Sequence, residues 1–83
     1  MSKRDKLLTR LFSRPNDFQW DELVALLAGL GFEVINKKGP RFRFVHPGTS
    51  RKLMFHKPHP ESTVKKYVID QTIEVLADLG VTK

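Results

Sequence analysis

Three histidines and a run of basic residues carry the chemistry this sequence can offer. His46 precedes Pro47, and His56 and His59 flank Lys57-Pro58. An imidazole titrates near pH ~6.5, so one can take a proton from an RNA 2′-hydroxyl while a second group protonates the leaving oxygen. Arginine or lysine would stabilise the charge that grows on phosphorus. His56 and His59 are the candidates for proton transfer, against the plainer reading of a strand-end and a helix-start residue held by local hydrogen bonds. His46 reads as a turn residue. A zinc site would need His46 to converge on the other two across a sheet, and no surplus of nearby acids supplies another set, so no metal and no cofactor is expected. Thr49 and Ser50 lack an assigned base and read as turn caps, not nucleophiles.

The basic residues are concentrated. The chain carries a net charge of +6, yet residues 37–66 alone hold nine basic residues against one acid, Glu61. Lys37, Lys38, Arg41, Arg43, Arg51, Lys52 and Lys57 form a basic hairpin region, and Lys65 and Lys66 extend it toward the last helix. Such asymmetry steers a protein toward polyanions, and a stripe of arginines on one sheet face can neutralise successive phosphates. The alternative is an ordinary solvated face that keeps the sheet soluble and its edge unpaired. Backbone N–H groups near residues 60–63, with Lys57, Lys65 and Lys66, offer a further phosphate site.

These groups need elements to position them. Leu7, Leu8 and Leu11 predict a short helix over 3–13, ended by Pro15, in a basic arm of residues 1–16 that precedes a domain of residues 17–83. Trp20, Leu23, Leu26, Leu27 and Leu30 share one face of a helix over 20–30, with Gly31 as its exit; Gln19 or Asp17 is the cap, Glu22 the third helical position. Residues 32–36 alternate as a strand, and 37–40 read as a turn. Arg41-Phe42-Arg43-Phe44 places two guanidinium groups on one face and two rings on the core face. A turn at 46–50 and a returning strand at 51–56 complete a three-stranded antiparallel meander. The last helix is expected from Pro60 onward, with Val64, Val68, Thr72, Val75 and Leu79 in one stripe, Ile69 and Leu76 beside it, and Gly80 as its end. Trp20 and Tyr67 read as boundary packing residues.

The result is one α+β domain in 83 residues, without cysteine and therefore without disulfides or thiol chemistry. Its longest apolar runs fall far short of a membrane span, and its N-terminus lacks the apolar stretch of a secretory signal, so a cytoplasmic protein without membrane contact is expected.

Trp20-Asp21-Glu22-Leu23, Leu26-Leu27 to Leu30-Gly31-Phe32, Gly39 to Phe44, His56-Lys57-Pro58-His59-Pro60, Tyr67-Val68 and Leu76 to Gly80 occur in an order and spacing that resembles the HicA, or YcfA-like, family of small bacterial toxins. The resemblance covers roughly residues 18–81. It implies a fold like a double-stranded-RNA-binding domain, with helices on one face of the sheet. It also implies endoribonuclease action on mRNA and a HicB-like antitoxin as partner. The family pattern has Gly-Ser-His at the start of the second strand, its histidine catalytic; the matching positions here are Gly39, Pro40 and Arg41. Arg41 has no accessible neutral form to act as a base, which leaves it to bind phosphate or stabilise charge, with His56 or His59 taking over proton transfer.

Overall fold

Apolar side chains at three- and four-residue spacing in three helices, and at two-residue spacing in the strands, meet in one core. The computed structural model describes residues 3–36, 39–58 and 61–81, so the expectations placed on Lys37, Lys38, His59 and Pro60 lie outside the described residues. The elements run α1 (Lys3–Phe12), α2 (Trp20–Gly29), β1 (Glu33–Ile35), β2 (Arg41–His46), β3 (Arg51–His56) and α3 (Lys66–Asp78). The strands form an antiparallel sheet in the order β1-β2-β3, and the helices pack on one of its faces. This is the α+β architecture that the patterning predicts.

α2 starts where its sequence provides for it. Glu22 accepts a hydrogen bond from the Gln19 backbone N–H at 3.0 Å, satisfying a donor outside the helix ladder. Its exit uses Gly31 at φ 96°, with Gly31 N–H bonded to the Ala28 carbonyl and Phe32 N–H to the Leu27 carbonyl. That pair of bonds is the left-handed helix stop for which glycine is suited. Gly80 repeats it at the end of α3, where Val81 N–H reaches the Leu76 carbonyl at 2.8 Å.

Three expectations change. α1 is not a free arm, because Leu7 and Leu11 are buried in the common core, Leu11 completely. Its Arg10 lies over the Phe18 ring at 5.3 Å and pairs with Glu22 of α2, while Arg14, just beyond its end, pairs with Asp70 of α3. Trp20 is 2% exposed and belongs to the core, edge-on to Phe42 at 5.1 Å. Finally, α3 starts at Lys66, well after Pro60. Residues 62–64 cannot join it because their backbone is used elsewhere: Ser62 carbonyl accepts from Trp20 N–H at 2.7 Å and Val64 N–H donates to Phe18 carbonyl at 2.9 Å. This short bridge between Gln19 and Thr63 keeps the segment extended. It also removes the phosphate site expected from a helix start over 60–63.

α3 buries Val68, Ile69, Thr72, Ile73, Val75 and Leu76, a wider stripe than expected, since Ile73 joins it. Thr72 is buried without cost because its hydroxyl donates to the Val68 carbonyl at 2.7 Å. Among the described residues, no helix is long and apolar enough to cross a membrane.

Candidate functional site

Strand register decides which chemistry-bearing side chains share a surface. β2 and β3 place Arg41 opposite His56, Arg43 opposite Met54 and Val45 opposite Lys52. β1 adds Ile35 opposite Arg43. Alternation along each strand sends these residues to the face away from the helices, and sends Phe44, Leu53 and Phe55 into the core. Arg41, Arg43, Lys52, Met54 and His56 are all exposed, so the open face is basic around an apolar strip.

The end of this face near residue 56 is the most organised part. Lys57 N–H donates to the Pro40 carbonyl at 2.7 Å, making 40 and 57 a hydrogen-bonded pair. Ladder alternation then makes Arg41 and His56 a non-hydrogen-bonded pair, the kind whose side chains stand closer. Asn36 holds the incoming turn, its side-chain amide donating to the Gly39 and Arg41 carbonyls at 3.0 and 2.6 Å. The position of Arg41 is thereby tied to β1 as well as β3.

Two cavities meet there. One of about 400 Å³ is lined by Arg41, Phe42, Met54, Phe55, His56 and Tyr67. The other, about 380 Å³, lies between the end of β3, the 57–65 segment and α3, with Lys57, Glu61 and Lys65 among its walls and Trp20 at its base. His56 and Tyr67 line both. An imidazole thus sits where a guanidinium, ammonium groups and an aromatic ring converge.

The remaining candidates fall elsewhere. His46 lies at the far end of β2, five residues of strand from His56's level, roughly 17 Å, and on the opposite face; it packs edge-on to Phe32 at 5.2 Å and its Nδ1 lies 3.2 Å from Thr49 Oγ1. It is the last residue of β2, paired with Arg51, and not a turn residue as expected; it cannot share an ion with His56. No cluster of three or more metal-ligating side chains forms among the described residues. Arg51 is on the core side of the register, opposite His46, and its Nη2 donates to Asp78 Oδ2 at 2.5 Å. Lys65 joins the cleft, whereas Lys66 lines a separate cavity with Arg14, Ile69 and Asp70.

Tyr67 and Met54 are the site residues that sequence reasoning missed. Tyr67 precedes the buried pair Val68 and Ile69, and being one residue off a helical stripe does not decide exposure, since Ile69 is equally offset from Val68 and is buried. Met54 stands in the apolar run Leu53-Met54-Phe55, where period-two alternation assigns it to the arginine face.

Residues 20–81 match the family described as HicA toxin of bacterial toxin-antitoxin. The match spans every element from α2 to α3, and hence the sheet and both cavities. No curated protein and no solved structure matches the chain.

Proposed function

Since the chain belongs to the HicA toxin family, it is the toxin of a bacterial toxin–antitoxin pair, and we propose that it binds mRNA and cleaves it without a metal ion. The observation that carries this reading is the cross-strand pair of Arg41 and His56 on a basic open face, at the mouth of the cleft that Lys57 and Lys65 enter. A row of exposed cations alone is common on soluble sheets. A titratable base held beside a permanent cation is what transesterification at phosphorus requires.

In the proposed reaction His56 takes the proton from an RNA 2′-hydroxyl, whose oxygen attacks the adjacent phosphorus. The new O2′–P bond replaces the P–O5′ bond, leaving a 2′,3′-cyclic phosphate and a 5′-hydroxyl. His59, assigned from sequence alone, protonates the departing oxygen. Arg41, Arg43 and Lys57 hold the phosphates and offset the charge on the phosphorane-like transition state; Lys52 extends the basic face, and Lys37 and Lys38 are placed with it by sequence. Arg41 serves as a cation only, because a guanidinium stays protonated. A cognate antitoxin of HicB type would silence the toxin by covering this face, where an acidic segment would meet Arg41, Arg43 and Lys52.

Incubating the purified protein with single-stranded and structured RNA in excess EDTA tests the proposal. Fragments ending in cyclic phosphate, lost in His56→Ala, are expected. Intact RNA in the presence of normal binding would overturn the nuclease reading and leave a toxin that acts by occupying RNA. That second reading is favoured by Arg41 itself, which stands where the family pattern has its histidine.

A further inference from the structure

We propose that Tyr67 is a stacking platform for one unpaired nucleobase, which makes the cleft a reader of single-stranded RNA and excludes duplex. The inference rests on the RNA reading above and names its substrate class. Tyr67 is the sole tyrosine of the chain and is 51% exposed on the first turn of α3; Met54, 60% exposed, is the other large apolar side chain standing in solvent among the described residues. Both line the same cavity as Arg41 and His56.

Packing does not account for the ring. Val68 and Ile69 anchor this turn of α3 in the core, so Tyr67 is not needed to seat the helix. Trp20, Phe42, Phe44 and Phe55 pair with one another, and Phe32 pairs with His46. Tyr67 enters none of these ring contacts among the described residues. An aromatic face left free between two cavities of about 380 and 400 Å³ is of the size and shape that accepts a planar base, with the Met54 thioether as a soft neighbour.

Charge orients the ligand. Arg41, Lys57 and Lys65 supply cations around the cleft, while Glu61 is the one carboxylate among its described lining residues. A carboxylate repels phosphate and accepts hydrogen bonds from the amino edge of a base. The base therefore enters beside Tyr67 and its phosphate stays at the mouth with Arg41 and His56. Bases within an A-form duplex have their faces stacked and their pairing edges occupied, so they cannot make this contact.

Affinity for a fluorescein-labelled 2′-O-methyl RNA single strand, which lacks the attacking hydroxyl, tests the inference in parallel with a labelled duplex of the same length. Tyr67→Ala is expected to weaken single-strand binding by about 5- to 100-fold, and Tyr67→Phe to stay within about twofold of the parent. Duplex affinity should not respond to either change. Equal single-strand affinity in Tyr67→Ala, or equal losses on single strand and duplex, overturns the stacking role while leaving RNA binding standing. Loss of antitoxin binding alone would reassign Tyr67 to a protein interface and overturn it too. If the parent protein binds neither RNA, the broader RNA reading falls, and the inference with it.

Discussion

In the proposed reaction a guanidinium and an imidazole divide the work, because a guanidinium stays protonated and cannot serve as a base. His56→Ala should therefore lower cleavage by about 10²- to 10⁴-fold, the usual contribution of one acid–base group, with RNA affinity little changed. Arg41→Ala should weaken binding as well, and reduce the slope of log affinity against log salt by about one. Gel-resolved cleavage and salt-titrated anisotropy measure the two effects separately. Much of this was legible from residue types: the alternation Arg41-Phe42-Arg43-Phe44 already assigned arginines to one face and rings to the other. Tyr67 was not legible, because an aromatic beside an apolar helical stripe has the same pattern whether it packs or stands in solvent.

At the level of elements, α1 and the 61–65 segment hold the site's supports together. Leu11 is fully buried, so Leu11→Ala should destabilise the fold by about 2–5 kcal/mol, read as a lower denaturation midpoint. An appended arm would tolerate the change. The contact of α1 with α2 is also electrostatic. Burial works to raise the Glu22 carboxyl, but hydrogen bonds from Arg10 and the Gln19 N–H outweigh it and hold the group below its ordinary 4.5. A carboxyl lowered in the folded state contributes stability that is present above the unfolded value and is lost as pH falls through the folded one. Unfolding midpoints should therefore drop on acidification below pH 4.5, and Glu22→Gln should flatten that dependence while lowering stability at neutral pH. The helix start at Lys66 follows the same logic: local signals at Pro60 and Glu61 favoured an earlier turn, but backbone bonds to Phe18 and Trp20 claim the segment first.

Over the whole molecule, the charge is sorted by the sheet. Arg43 and Lys52 stand on the open face, whereas Arg51 is on the core side and engaged by Asp78. Arg43→Ala should lower RNA affinity at moderate salt more than Arg51→Ala does, although their sequence context is equally basic; filter binding across a salt series decides this. Composition and periodicity by themselves determined a basic α+β domain, its meander of strands and the exits at Gly31 and Gly80, because these depend on local conformation and on spacing. Only the tertiary structure decided that α1 enters the core, that His46 and His56 lie on opposite faces, and that Arg41, His56 and Tyr67 border one pair of cavities. Those facts depend on register and on contacts between residues far apart in the chain, and no local pattern encodes them.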